Sequence, residues 1–208
     1  MKILDLTHTL ENNMTVYCKE ETLSISKTAL VETDGYEGTA LKLFSHNGTH
    51  VDAPRHMIKG GKTLDTMDID DFAGKALLLK VESGKEIEMS QLEPYLEELH
   101  QCDFLIFNSG WYHYWNSDEY FSNYPILSEE AATFLAKTNL KGIGIDMISV
   151  DDYHSNDFKN HQLFLGSGKV IIENLNNLDR VPTRFYIIAG PLKFKDSDGA
   201  PARVMAVI

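Results

Sequence analysis

Three of the chain's eight histidines and one aspartate fall in a single short stretch, Ser45-His46-Asn47-Gly48-Thr49-His50-Val51-Asp52-Ala53-Pro54-Arg55-His56. Neutral imidazole and carboxylate are the ligand types for zinc, manganese or iron. Spacing decides whether these residues can share an ion. His46, His50 and Asp52 are all even-numbered, so a strand would point them to one face. A straight strand, at about 3.3 Å per residue, would still hold His46 and Asp52 roughly 20 Å apart. The chain must therefore fold back between His46 and His50, and Asn47-Gly48 is a strong turn dipeptide at that place. A helix would also bring His46 and His50 together at i, i+4, but Gly48 and Pro54 both interrupt helices. Gly48 is further expected to leave space where a bulkier side chain would crowd the ion. His46, His50 and Asp52 are the expected metal ligands. His56, beyond Pro54, is assigned to proton transfer because histidine can be poised near neutral pH; a fourth ligand is the alternative. Arg55 is expected at the surface.

A second set is more dispersed. His161 lies in Asn160-His161-Gln162-Leu163-Phe164-Leu165-Gly166, and Glu173 follows Val170-Ile171-Ile172. A carboxylate at the end of a buried strand needs a partner, and a metal is one. Composition leaves both roles open. Asp146, after Gly144-Ile145, is another strand-end carboxylate for which capping or hydrogen bonding is an equal reading. The aromatic run Gly110-Trp111-Tyr112-His113-Tyr114-Trp115 suits a ligand platform, or alternatively packing or a dimer contact. No phosphate loop or dinucleotide fingerprint is present, and neither Cys18 nor Cys102 has the local context of a nucleophile.

The elements that must position these groups are mostly strands. Short apolar or alternating runs predict strands at Lys2 to Leu6, Leu23 to Val31, Thr39 to Phe44, Lys75 to Val81, Asp103 to Asn108, Gly142 to Asp146, Val170 to Ile172, Phe185 to Ala189 and Arg203 to Ile208. Several are apolar throughout, as in strands buried on both faces or in a closed sheet. Two helices are expected. One starts at Ser90, with Glu93 in capping-box spacing and Pro94 in the first turn, and runs to His100 with Leu92, Leu96 and Leu99 on one face. The other starts at Ser128 as N-cap, has Glu129 and Glu130 in its first turn, carries Ala131, Phe134 and Leu135 on its apolar face and ends near Asn139. Strand, helix and strand then make a βαβ unit over 103–146. The fold class is α/β, in one domain over 1–208, a length that buries a full core without staples.

Charge narrows the partners. A net charge of −12 spread along the chain repels a phosphate backbone, so nucleic acid is not expected. No uncharged apolar run approaches a membrane span, and the N-terminus lacks a signal-peptide core. Two cysteines without a disulfide framework are read as free thiols in the cytoplasm.

The pattern His46-x-Gly48-Thr49-His50-x-Asp52-x-Pro54-x-His56 resembles the signature of cyclase-like metal-dependent hydrolases of the bacterial kynurenine formamidase and isatin hydrolase type. Asp5-Leu6-Thr7-His8-Thr9-Leu10, Asn108-Ser109-Gly110-Trp111, Tyr124-Pro125 with Ser128-Glu129-Glu130-Ala131, Gly144-Ile145-Asp146, Glu173-Asn174-Leu175 and Asp198-Gly199-Ala200-Pro201-Ala202-Arg203 extend the resemblance along almost the whole chain. It implies a mixed-strand, barrel-like core with peripheral helices, a homodimer or larger assembly, and up to two divalent metals. It implies that His46, His50 and Asp52 hold the first ion, that Asp52 and Glu173 bridge to a second completed by His161, and that His56 is the general acid/base. The family's kynurenine formamidases carry Trp-Pro-Gly-Asp early, with the tryptophan against the substrate; here Tyr17-Cys18-Lys19-Glu20 stands there, so Tyr17 becomes the substrate-wall residue and the wall differs. The implied activity is hydrolysis of a small amide, formamide or cyclic amide by metal-activated water, with zinc or manganese. A metal-dependent lyase or cyclase and a non-catalytic metal-stabilised binding protein are the rival classes.

Overall fold

A computed structural model describes residues 1–82 and 86–208 of the chain. Its strands are β1 (Ile3–Asp5), β2 (Ser24–Ala29), β3 (Gly38–Lys42), β4 (His50–Asp52), β5 (Ala73–Lys80), β6 (Phe104–Asn108), β7 (Gly142–Ile145), β8 (Val170–Glu173), β9 (Arg184–Pro191) and β10 (Gly199–Val207). The helices are α1 (Val31–Asp34), α2 (Met89–Leu92), α3 (Leu96–Leu99), α4 (Glu129–Ala136) and α5 (Lys159–Gly166). Seven strands close into a barrel in the order β10-β4-β8-β7-β6-β5-β9, with β9 returning to β10. β5, β6, β7 and β8 run parallel to one another, and every other pairing in the barrel is antiparallel. β1 adds to the end of β10, while β2 and β3 form a separate antiparallel hairpin around α1.

Parallel neighbours need crossovers, and each crossover carries helix: α2 and α3 between β5 and β6, α4 between β6 and β7, α5 between β7 and β8. The helices cover the outer face of those strands, which explains their uninterrupted apolar sequence. Alternation divides them cleanly. Phe104 and Ile106 join Val51, Ile172, Ile187 and Val204 inside the barrel. Leu105 and Phe107 join Leu135, Ile143 and Phe164 in a second core under the helices. Gly142 and Gly144 make room for the inward side chains: a Cβ at Gly144 would stand 2.6 Å from Ile106 Cδ1, and one at Gly142 would stand 3.1 Å from Phe104 Cε1.

The α/β barrel-like expectation and the 103–146 βαβ unit are both realised. Ser128 caps α4, its Oγ accepting from Ala131 N at 3.2 Å. That helix ends at Ala136, short of Asn139, and buries Ala131, Ala132 and Leu135 rather than Phe134. The earlier helix differs more. It starts at Met89 behind a Glu88–Gln91 capping box, and Ser90 lies inside it. Pro94 has no N–H to continue the ladder, so the segment passes through a 3-10 turn at Glu93–Tyr95 before α3. Neither β4 nor α5 was expected as an element, and both carry the site.

Candidate metal centre

β4 lies between β10 and β8, with His50 opposite Glu173 and Asp52 opposite both Ile171 and Gly199. Val51 and Ile172 point into the barrel, so their neighbours His50, Asp52 and Glu173 point outward, toward α5. The turn before β4 folds back as expected. Gly48 takes φ +65, and Asn47 Oδ1 accepts from Phe44 N at 2.9 Å. His46 returns to Asp52, Nδ1 to Oδ1 at 2.7 Å.

Gly48 does not make room for an ion, contrary to expectation. A Cβ there would meet Leu10 Cδ2 at 2.6 Å on the far side of the turn. The left-handed backbone and that contact explain the glycine. Gly199 is the glycine that opens the site, since a Cβ on it would stand 2.5 Å from His46 Cε1.

The ligand atoms of His50 and His161 converge without being used up, whereas both ring nitrogens of His46 have carboxylate partners. His50 Nδ1 donates to Gly48 O at 2.8 Å, leaving Nε2 as the free ring nitrogen. His161 Nδ1 is held by Asp151 Oδ2 at 2.7 Å, again leaving Nε2 free. His50 Nε2 lies 3.3 Å from Asp52 Oδ1 and 3.5 Å from Glu173 Oε2; His161 Nε2 lies 3.7 Å from Asp52 Oδ2 and 3.4 Å from Glu173 Oε1. His50 Nε2 and Asp52 Oδ2 are buried without any hydrogen-bond partner. Orphaned buried polar atoms require an explanation, and an ion that both atoms could bind supplies one. Two trios bring their ligand atoms within 4.8 Å of one another: His46, His50 and Asp52, and Asp52, His161 and Glu173. Asp52 belongs to both. The donors are imidazole nitrogen and carboxylate oxygen, and a borderline divalent cation fits them. A third trio joins His46, His56 and Asp198.

The electrostatics show what the metal-free cluster must do instead. Burial is the largest single influence and would lower His46 and His50, but Asp52 and a second carboxylate together outweigh it in both. With Asp198 as a second partner, His46 rises to about 9; with Glu173 as a second partner, His50 rises to about 10. Burial works the same way on His161, and its hydrogen bond to Asp151 together with the nearby Asp52 and Glu173 carboxylates drives it well above its usual value. Burial opposes the ionised form of Asp52, yet His50 and His46 pull it far below the carboxylate range. Without a cation, protonated histidines neutralise the buried carboxylates.

His56 sits at the end of a 3-10 turn, Pro54–His56. Its ring lies 4.0 Å from that of His46, and Nδ1 is 3.7 Å from Asp198 Oδ2. It lines a cavity of about 170 Å³ together with Tyr17, His46, His50, His161 and Glu173. All six expected site residues other than Asp52, which is wholly buried beneath, thus border one cavity. Tyr17 is held there through Tyr153, whose Oη donates to Tyr17 O at 2.8 Å.

Three positioning residues were not expected. Asp198 accepts from His46 Nε2 at 3.0 Å, and hydrogen bonding to His46 and then His56 holds its carboxyl far below the usual range. Asp151 accepts from the backbone of Asn160 and His161 as well as from the His161 ring, so it caps α5 and aims its histidine. Asn174, at φ +57, donates to Gly48 O at 2.9 Å and ties the Glu173 segment to the His46–His50 turn. The run containing Asp198 and the Glu173-Asn174-Leu175 triplet were visible as motifs, but nothing in their spacing announced these bonds. Asp146 is structural, accepting from Ser109 N, Ser109 Oγ and Trp111 N. The aromatic run packs: Trp111 and Tyr112 are buried, and Trp111 Nε1 donates to Tyr120 O.

A family model described as "Putative cyclase" matches residues 4–152. The chain belongs to the cyclase family. A kynurenine formamidase of Bacillus cytotoxicus is 29% identical over 205 residues, covering 97% of this chain and 95% of that protein. A solved structure described as a predicted metal-dependent hydrolase from Bacillus stearothermophilus matches with a TM-score of 0.82 at 28% identity, over 99% of this chain and 97% of that one. Isatin hydrolase A from Labrenzia aggregata superposes with a TM-score of 0.85 at 24% identity, over 99% of this chain and 93% of that one, so the barrel of this cyclase-family chain is shared with it.

Proposed function

We propose that this chain is a metal-dependent hydrolase of a small amide, formamide or cyclic amide, a carbon–nitrogen bond other than a peptide bond. The observation that carries the reading is the pair of orphaned buried atoms, His50 Nε2 and Asp52 Oδ2, within two interlocking ligand trios beside a cavity. Similarity to kynurenine formamidases along nearly the whole chain supports the reaction class.

In this reading His46, His50 and Asp52 hold one ion, and Asp52, His161 and Glu173 hold a second, with zinc or manganese as the metal. A divalent cation there supplies Lewis acidity toward a carbonyl and makes water easier to deprotonate at neutral pH. His56 takes a proton from the attacking water and returns it to the departing nitrogen. Asp198 faces His56 Nδ1 and so leaves Nε2 for that exchange. Tyr17 forms part of the substrate wall. The 1–208 chain acts as one domain, as a homodimer in the cytoplasm. Exposed Val31, Tyr36 and Leu41 on the β2–β3 hairpin support self-association, and unpaired Cys18 and Cys102 suit a reducing compartment. The acidic net charge argues against nucleic acid as a partner. Among the described residues, no helix is long and apolar enough to cross a membrane.

The test is hydrolysis of N-formylkynurenine and simple formanilides by zinc- or manganese-loaded protein, with His56→Ala as control. We expect turnover that falls by about 10²–10⁴ in the variant while bound metal is retained. Loss of metal equal to the loss of activity would make His56 a ligand. Product formed without incorporation of oxygen from labelled water would replace hydrolysis by lyase chemistry.

A further inference from the structure

The cavity has one acidic group that the proposed chemistry leaves unused. Glu21 lines it, beside Tyr17 and the histidines. Glu21 ends a 3-10 turn, Lys19–Glu21. The turn is held by Glu21 N to Cys18 O at 3.0 Å and Thr22 Oγ1 to Lys19 O at 2.7 Å. Asn47 Nδ2 donates to Glu21 O at 2.9 Å, which clamps the residue to the turn that presents His46. The position is therefore fixed relative to the metal centre.

One oxygen of the carboxylate is unsatisfied. Glu21 Oε2 is buried and has no hydrogen-bond partner. Among the described residues Glu21 belongs to none of the ligand trios. Neither lysine nor arginine lines the cavity; Met57, Ile148 and Phe158 give it an apolar lining, to which Ser149 and Asn174 add neutral polar groups. An unpaired buried carboxylate oxygen costs free energy that an arriving donor recovers, most completely when the donor is charged. Binding pockets fix ligand orientation with a few placed polar groups in an apolar lining, and among the described residues Glu21 is the acidic one here that no ligand trio uses.

We propose that Glu21 is a substrate-recognition residue that pairs with a positively charged nitrogen. The substrate is then an amide carrying an ammonium or amidinium group on an apolar body, away from the bond that is cleaved. This inference rests on the cavity being the substrate site, as the hydrolase reading requires.

Binding without turnover tests it. Benzylammonium and benzyl alcohol share one apolar body and differ in charge; neither presents an anion to a metal. Ligand-observed NMR titrations of each into zinc-loaded protein at neutral pH should show benzylammonium binding at least about tenfold more tightly. E21Q should remove that preference and leave the affinity for benzyl alcohol unchanged, with E21A as a second variant should E21Q fold poorly. E21K should make benzylammonium the weaker ligand. Equal binding of the two probes by the natural protein, or a preference that survives in both E21Q and E21A, overturns the proposal. The two readings separate. A charge preference that depends on Glu21, with no amide hydrolysed, sinks the hydrolase and leaves Glu21 as a cation-recognition residue. Hydrolysis of formanilides with no such preference does the reverse.

Discussion

On one side of the cavity, His50, Asp52 and Glu173 project from β4 and β8, strands whose backbones are bonded to neighbours on both edges. On the other side, Tyr17 and Glu21 come from an irregular segment and a 3-10 turn, and Phe158 from the residue just before α5. The barrel wall can hold converging charges because displacing one of its side chains means disturbing a closed sheet. The opposite wall hangs on a few side-chain bonds, Asn47 to Glu21 and Tyr153 to Tyr17 among them. Phe158 adds strain: it holds φ +46, a region bulky side chains rarely occupy, next to His161. In the proposed reading the shared metal ligands Asp52 and Glu173 belong to the rigid side, and discrimination between substrates belongs to the adaptable side. Substitutions should therefore divide by wall, the barrel side changing metal content and the loop side changing affinity for substrate.

Asp52→Ala should have the largest effect. Asp52 is the one residue in both principal trios and is wholly buried. Its removal should empty both positions, measured by metal content after dialysis, and cost activity by at least about 10³-fold. Full metal retention would mean that the barrel wall is not the ligand set.

Asp151→Asn ranks next. It keeps the side chain's size while weakening the acceptor for His161 Nδ1 and for the first backbone N–H groups of α5. Loss of an orienting partner to a ligating histidine costs about 10–100-fold in metal affinity. The expected result is weakened binding at one position with the other unaffected, read by competition with a chelator.

The same two aspartates show what could be read before the fold was known. Asp52 was legible because His46 and His50 lie within six residues of it and a turn dipeptide separates those two. The parallel strands were legible as unbroken apolar runs. Asp151 was not, since it acts on a helix with no start signal of its own. α5 opens Lys159-Asn160-His161-Gln162, and Phe158 before it offers no capping side chain. The cap comes from Asp151, eight residues before the first helical residue, and only the folded chain brings it there. Asp198 is harder still, 152 residues from His46. Its bond exists because β10 pairs with β4, a register no local pattern encodes. β4 itself spans three residues and reads as part of the turn.

Metal removal sharpens the contrast through pH. In the metal-free protein His46 and His50 titrate near 9 and 10, above the usual 6.5. Groups raised on folding contribute stability that is complete below about 6.5 and disappears as pH rises through the folded values. The metal-free protein should therefore lose thermal stability between pH 7 and 10, by roughly 5 °C or more. Metal requires the neutral imidazoles, so its affinity should rise over the same window. The gap in Tm between loaded and metal-free protein should widen with pH; a gap that narrows would mean these histidines are not ligands.

The smallest effects belong to the loop wall. Tyr17 Oη reaches Tyr153 O at only 3.4 Å, a long and weak bond, whereas Tyr153 Oη holds Tyr17 O at 2.8 Å. Tyr17→Phe should leave kcat/KM within about threefold of the natural protein, because the ring still packs on Tyr153 at 5.0 Å between centroids. Tyr153→Phe removes the shorter bond and frees the Tyr17 backbone. It should raise KM several-fold with kcat and metal content unchanged, since removing one neutral hydrogen bond costs about 1 kcal/mol. A fall in kcat at constant KM would instead place Tyr17 at the reacting group, and the division between a chemical wall and a recognition wall would not hold.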